Sequence, residues 1–205
     1  MTRPGTPGEP PQPGFLEVTG SQTAGPFFHD ALLREPQNVL VGPATAGQRI
    51  RVEGHVYDGD GAPVPEALVE IWQANAHGRY NHPADRRPLP LDPAFTGFGR
   101  SGTDETGRYW FDTVKPGPVP YAGDRLQAPH ILVTVHGRGL LNHLVTRLYF
   151  EDDDTSADPV LRLVPEARRP TLIARRAEGA GPEGAPVYRL DLVLQGESET
   201  VFFDV

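Results

Sequence analysis

The chain has 205 residues, of which 27 are acidic and 19 are basic, and it contains no cysteine. The lack of cysteine excludes a disulfide scaffold, a cysteine nucleophile and thiolate ligands for zinc or iron–sulfur clusters, which leaves His, Tyr and carboxylates as possible metal ligands. A formal net charge of −8 without a basic run argues against a nucleic-acid partner.

Glycine and proline are concentrated at the start of the sequence, where residues 4–14 hold eight of them. Proline cannot donate a regular hydrogen-bond ladder, so residues 1–20 are predicted to be a flexible Pro/Gly-rich arm ahead of one domain over residues 21–205. No stretch approaches the roughly 18 apolar residues of a membrane span, and the first residues lack the apolar centre of a signal peptide. The expected location is therefore the cytoplasm.

The first half of the domain begins with strict alternation of apolar and polar residues over residues 48–58, which predicts a half-buried strand. An Asp-Gly-Asp-Gly turn at residues 58–61 and a second alternating run over residues 67–72 indicate a hairpin-like pair. Residues 75–102 are mostly polar and are predicted to form a long loop, with the glycine-rich residues 97–102 as a turn.

The second half of the domain carries the same alternating pattern. It predicts further strands over residues 109–114, 131–136, 144–150, 187–195 and 199–205. Residues 165–177 are predicted to form the single short helix, which Pro170 ends or restarts. Short strands with regularly spaced turns predict an all-β fold, an antiparallel β-sandwich with long loops.

The sequence lacks the local motifs of the common enzyme classes. It has no Gly-x-Ser-x-Gly elbow, phosphate loop or dinucleotide fingerprint, which argues against the usual hydrolases, kinases and dehydrogenases. His77 and His82 lie five residues apart in a predicted loop, and we expect them to be solvated. The acidic residues 151–154 lack the spacing of a calcium loop and are predicted to be a solvated strand end.

Seven short strings, in family order, resemble the intradiol ring-cleaving dioxygenases, and among them the α chains of the two-chain protocatechuate 3,4-dioxygenases. The strings are residues 21–26 (SQTAGP), 54–58 (GHVYD), 70–74 (EIWQA), 113–117 (TVKPG), 128–130 (APH), 146–150 (TRLYF) and 196–204. Each string is weak alone, but together they cover the chain from Ser21 almost to its end. The resemblance implies the sandwich fold of this family.

The resemblance also implies a chemistry, because the family opens a catechol ring between its two hydroxylated carbons with O2. It uses non-haem Fe(III) held by two tyrosines and two histidines, and hard phenolate ligands suit a ferric ion. Only His130 matches that ligand set here. The second histidine corresponds to Leu132, the two tyrosines correspond to Val119 and to a position near Arg87, and the nearby catalytic arginine corresponds to Gln127. We therefore expect this chain to bind no iron and to carry no catalytic residue, with His130 as a structural histidine.

The absence of iron ligands is what the resemblance implies for an α chain, because in the two-chain enzymes the β chain holds the iron. The resemblance implies a partner β subunit that carries Fe(III), with protocatechuate and O2 as substrates, 3-carboxy-cis,cis-muconate as product, and a higher-order αβ oligomer. It assigns Thr23, Gly25, Pro26 and Arg138 to the substrate pocket, where Arg138 would hold the ring carboxylate. Phe27 stands where the family often has tyrosine, so the hydroxyl of that position is missing.

Two other interpretations are open on the sequence alone. The first is a self-sufficient catechol or hydroxyquinol dioxygenase with substitute ligands drawn from Tyr80, Tyr121, His77 and His82. The second is a transthyretin-like β-sandwich that binds a ligand without catalysis. The metal content of the purified chain separates the first from an α chain, and co-purification with a related chain separates the second.

Overall fold

The computed structural model describes residues 20–23, 25, 31–33 and 37–204. The predicted arm over residues 1–20 lies outside these residues except for Gly20. Within the described part, the strands are β1 (Arg49–Tyr57), β2 (Leu68–Trp72), β3 (Phe98–Gly102), β4 (Arg108–Val114), β5 (Val119–Pro120), β6 (Leu126–Gln127), β7 (His130–His136), β8 (Leu144–Phe150), β9 (Ile173–Arg176), β10 (Val187–Arg189) and β11 (Leu192–Val193). Three short 3-10 segments accompany them at Leu161–Leu163, Glu166–Leu172 and Pro182–Gly184. No helix in the described ranges has the length and apolarity needed to cross a membrane.

Nine of these strands form one nearly closed mixed sheet. Its order is β11-β1-β10-β9-β8-β7-β2-β3, with β4 alongside β1, while β5 and β6 form a separate two-stranded ribbon. The all-β prediction is confirmed, but a purely antiparallel sheet is wrong. β1 pairs in parallel with β10 and β11, and β8 pairs in parallel with β9. Parallel neighbours need a long crossover connection, and long segments of chain separate the strands of each pair.

The core lies between the two halves of this sheet. Ile50, Val52 and Val56 of β1 are at most 1 % exposed, as their alternation predicts. They belong to the same apolar cluster as Val133 of β7 and Leu148 of β8. Because side chains alternate along a strand, the other face of β7 and β8 points away from this core and is free to carry a site.

The predicted hairpin of residues 48–72 is wrong. β1 pairs with β4, β10 and β11, whereas β2 pairs with β3 and β7. Alternation shows which face of a strand is buried but not which strand lies beside it. Gly54 explains one of the pairings, because a Cβ at this position would lie 1.8 Å from the Leu190 carbonyl oxygen. Only glycine at position 54 allows the segment that joins β10 to β11 to pass this close to β1.

The predicted helix over residues 165–177 is also wrong. Glu166–Leu172 forms 3-10 turns, and Ile173–Arg176 is a strand that pairs with Tyr149 and Phe150 of β8 and with β10. Pro170 lacks the N–H of an α-helix and disfavours helical geometry in the residue before it, so regular helix cannot propagate through this segment.

Two further segments differ from their predictions. Residues 97–102 contain β3, which pairs along the whole of β2. Gly99 permits this packing, because a Cβ there would lie 2.6 Å from a Leu40 methyl carbon. Residues 199–204 do not form a regular strand, and Phe203 makes only an isolated bridge to Val145. Tertiary contacts, which the local pattern does not contain, decide both cases.

Candidate functional site

The outer face of the sheet carries the positions at which the resemblance places iron ligands. The register of β2, β7 and β8 sets Trp72, Leu132 and Arg147 side by side, and it pairs His130 with Tyr149 on the same face. The polar segment after β2 and the β5–β6 ribbon lie over this face. Together they border an open cavity of about 800 Å³ whose lining includes His130, Arg147 and Val119.

His130 is a buried, neutral histidine. Only 6 % of the residue is exposed, and its Nδ1 lies 2.8 Å from the Ala128 carbonyl oxygen. A carbonyl oxygen only accepts, so Nδ1 carries the hydrogen and Nε2 is unprotonated. Burial, with the positive charge of Arg147 as a second cause, lowers the pKa of His130 to about 4. This environment fits the structural role predicted for His130.

Arg87 lies near one of the positions at which the resemblance places a tyrosine, and Asp85 holds it in place. Its Nε donates to Asp85 Oδ1 at 2.8 Å, and its Nη2 donates to the other carboxylate oxygen and to the Gly78 carbonyl at 2.7 Å. The Tyr80 N–H donates to the same carboxylate at 2.8 Å. The hydrogen bonds from Arg87 hold the pKa of Asp85 well below its usual range. The pair therefore stays ionised and places a guanidinium near the position at which the resemblance expects a phenolate.

Arg147 lies next to His130 on the neighbouring strand. Its Nη1 donates to Gln127 Oε1 at 2.7 Å, and the Gln127 amide donates in turn to the Pro120 carbonyl at 2.9 Å. Tyr149 sits 3.4 Å from the same guanidinium nitrogen and donates its hydroxyl to Asp158 at 3.1 Å. Gln127, which the resemblance aligns with the family's catalytic arginine, therefore accepts a hydrogen bond from Arg147.

These residues do not fit a ferric ion. Val119 and Leu132 offer no donor atom, and Arg87 and Arg147 would place positive charge beside a trication. Across residues 37–204 and the shorter described ranges, no three His, Asp or Glu side chains form a metal-binding group. Tyr80 lines the cavity, but burial raises the pKa of its hydroxyl and so opposes the phenolate form that iron needs.

The other proposed substitute ligands do not assemble around the cavity. His82 lines it, whereas His77 and Tyr121 are not among its lining residues. Tyr121 is 43 % exposed, with the Arg125 guanidinium 4.9 Å from its ring centroid. The positions of these side chains therefore do not support an iron site built from them.

The burial of neutral His130 predicts a pH-dependent stability. Its pKa is lower in the folded chain than in the unfolded chain, so the stabilisation is present above about pH 6.5 and is lost as the pH falls toward 4. We expect this histidine to account for about 2 kcal/mol of the free energy of unfolding lost between pH 7 and pH 5, at 1.4 kcal/mol per pH unit. Urea unfolding of the wild type and His130→Asn at both pH values measures it.

The matched control is His77→Asn, since His77 is exposed. That variant should keep the wild-type pH dependence, while His130→Asn should show a flatter one. Equal pH dependence in the wild type and His130→Asn would contradict a buried neutral imidazole.

The residues predicted to touch substrate lie at the opposite end of β7. Seven residues of strand separate this end from the cavity by about 20 Å, at roughly 3.3 Å per residue. Thr23 Oγ1 accepts the Gly139 N–H at 2.8 Å, which brings the predicted loop against the turn that carries Arg138. Gly25 is exposed, and Pro26 and Phe27 lie outside the described residues.

Arg138 is exposed and paired. Its side chain is 61 % exposed, and its guanidinium contacts the Glu66 carboxylate. Glu66 has a backbone φ of 56°, a left-handed conformation that is uncommon for a residue other than glycine. An exposed ion pair is worth little, so the guanidinium is accessible to a competing carboxylate.

Both the sequence and the fold of this chain are similar to those of known proteins. A protein-family model described as Dioxygenase matches residues 24–196. The α chain of protocatechuate 3,4-dioxygenase from Burkholderia cepacia is 43 % identical over 203 residues, covering 93 % of this chain and 98 % of that one. The chain belongs to the intradiol ring-cleaving dioxygenase family. The β chain from the same organism is 40 % identical over 190 residues, covering 91 % of this chain and 79 % of that one.

Solved structures of the dioxygenase family share the fold. Catechol 1,2-dioxygenase from Acinetobacter sp. ADP1 matches with a TM-score of 0.59 at 24 % identity, covering 76 % of this chain and 55 % of that one. Hydroxyquinol 1,2-dioxygenase from Pseudomonas putida DLL-E4 matches with a TM-score of 0.59 at 20 % identity, covering 88 % and 63 %. The nearly closed mixed sheet is therefore the fold of this family.

Several residues that shape the site were not predicted. Asp85, Glu66 and Asp158 carry no local signal, because each acts through a contact that only the folded chain creates. Arg147 lies inside one of the family strings, but a string match does not show that its guanidinium lines a cavity.

Proposed function

We propose that this chain is the α chain of a protocatechuate 3,4-dioxygenase. With a β chain that holds Fe(III), it would convert protocatechuate and O2 to 3-carboxy-cis,cis-muconate. The bond between the two hydroxylated carbons breaks, and each of these carbons gains one oxygen atom of O2. The chain would contribute one domain over residues 21–205 to a higher-order αβ assembly.

The observation that carries this proposal is the Arg87–Asp85 pair. It places a bonded guanidinium in the cavity, near a position at which the resemblance expects an iron ligand, so the cavity at His130 does not suit the ferric ion that the reaction needs. The 43 % identity to an α chain from Burkholderia cepacia supports the same division of labour. The reactive centre would then come from a neighbouring polypeptide.

In this proposal Thr23, Gly25, Pro26 and Arg138 form a wall of the substrate pocket that the β chain completes. The contact between Thr23 and the Gly139 N–H supports it, because the loop and the arginine turn lie together on an exposed end of the domain. Protocatechuate carries a ring carboxylate, and the planar Arg138 guanidinium can bind a carboxylate through two parallel hydrogen bonds. Glu66 would exchange for that carboxylate when substrate enters.

Metal analysis and co-expression test the division of labour. The purified chain alone should contain no stoichiometric iron and cleave no ring, while co-expression with an iron-binding β chain should give an active complex with about one iron per αβ pair. Iron in the isolated chain, with the visible absorption of a phenolate–Fe(III) bond, would contradict the proposal and favour a self-sufficient dioxygenase.

A further inference from the structure

The cavity at His130 has an excess of positive charge. Arg86, Arg87 and Arg147 line it, and Asp85 is the one carboxylate among its described lining residues. Asp85 is already bonded to Arg87. Arg147 contacts the Gln127 amide oxygen and lies near the Tyr149 hydroxyl, and no carboxylate of the described residues forms an ion pair with it.

The donors of these arginines are not fully used. Arg87 Nη1 is buried and has no hydrogen-bond partner within the described part of the chain. That nitrogen is buried and so does not face the cavity. Arg87 and Arg147 both line the cavity beside Tyr80, and Arg147 has no carboxylate partner among the described residues. An anion in the cavity would pair with the Arg147 guanidinium.

An aromatic wall flanks these donors. Tyr80 stacks on Trp72 with ring centroids 5.7 Å apart and an angle of 16° between the ring planes, and Phe98 also lines the cavity. The volume of about 800 Å³ lies within the range of small-molecule sites, roughly 300–1,000 Å³. The lining combines a flat apolar surface with a pair of planar cations.

We propose that this cavity binds a small aromatic carboxylate. The carboxylate would pair with the Arg147 guanidinium, Arg86 and Arg87 would add positive charge, and the ring would lie beside Trp72 and Tyr80. The planar arginine fork fits a carboxylate, and the aromatic wall favours a ring over a compact inorganic anion. This second site lies about 20 Å from Arg138, at roughly 3.3 Å per residue of β7, and does not depend on the proposed substrate pocket.

Calorimetric titration of the full chain with benzoate tests the site. The wild type should bind benzoate in a 1:1 complex, and Arg147→Gln should weaken the affinity by at least about tenfold, since one charged donor is lost. Arg125→Gln is the matched control, because Arg125 is an exposed arginine that does not line the cavity, and it should bind as the wild type does. Benzyl alcohol, which keeps the ring without the carboxylate, should not bind measurably.

A second variant keeps the test valid if Arg147→Gln fails to fold. Gln127→Glu keeps the shape of the side chain and supplies Arg147 with a carboxylate of its own, so it should also weaken benzoate binding by at least about tenfold. No benzoate binding by the wild type, wild-type affinity in Gln127→Glu, or equal competition by inorganic phosphate would overturn the proposal.

Discussion

Replacing Arg138 with alanine in the assembled two-chain enzyme is expected to lower kcat/KM for protocatechuate by about a hundredfold. The reason is the loss of a charge-assisted, two-point hydrogen bond to the ring carboxylate, worth roughly 2–3 kcal/mol. Ring cleavage of catechol, which has no carboxylate, should change by less than about threefold, because catechol never engages the guanidinium. Steady-state kinetics with both substrates measures the difference.

Arg125→Ala is the matched control for this experiment. Arg125 is also an exposed arginine on a turn, and its guanidinium lies over the Tyr121 ring rather than beside Thr23. Its removal should leave both activities unchanged. Equal losses on protocatechuate and catechol in Arg138→Ala would remove the carboxylate-binding role, and the iron content of the same complex shows whether assembly was affected instead.

Replacing Asp158 with alanine is expected to lower the free energy of unfolding by about 3–5 kcal/mol. The Asp158 carboxylate is buried and accepts four hydrogen bonds. Three come from the backbone N–H groups of Ala128, Val160 and Leu161 at 2.7–2.9 Å, and the fourth comes from the Tyr149 hydroxyl at 3.1 Å. Alanine would leave these donors without a partner. Urea unfolding monitored by circular dichroism measures the loss.

Two control variants separate this mechanism from a general effect of losing an acidic side chain. Asp158→Asn keeps one acceptor oxygen and should lose clearly less stability than Asp158→Ala. Asp124→Ala removes an exposed carboxylate from the turn between β5 and β6 and should not shift the unfolding midpoint. A loss below about 1 kcal/mol in Asp158→Ala would mean that water satisfies the four donors in its place.

The sequence pattern predicted the buried faces of the strands better than their neighbours. Alternation placed Ile50, Val52 and Val56 in the core, where the structure has them. It could not predict that β1 takes β4, β10 and β11 as partners, because pairing depends on residues up to about 140 positions away. Pro170 breaks the predicted helix, but the strand that follows it depends on pairing with β8 and β10, which the local sequence does not contain.

For the candidate site, the sequence predicted which of the family's iron-ligand residues are missing. The replacement of ligand residues by Leu132 and Val119 needs only the family pattern. The family pattern does not predict the arginine side chains that line the cavity. The partnership of Arg147 with Gln127 spans 20 positions, and that of Arg138 with Glu66 spans 72. Neither spacing corresponds to a helix turn or a strand repeat, so only the fold brings these groups together.

The parallel pairing of β1 with β10 and β11 affects how the chain is made. Val187 follows Tyr57 by 130 residues, so the side of β1 that these strands cover stays unpaired while the intervening chain is translated. At 5–20 residues per second this interval is on the order of ten seconds. A nascent polypeptide on the ribosome would thus expose a strand edge long enough for a chaperone, or another unfinished copy, to bind it.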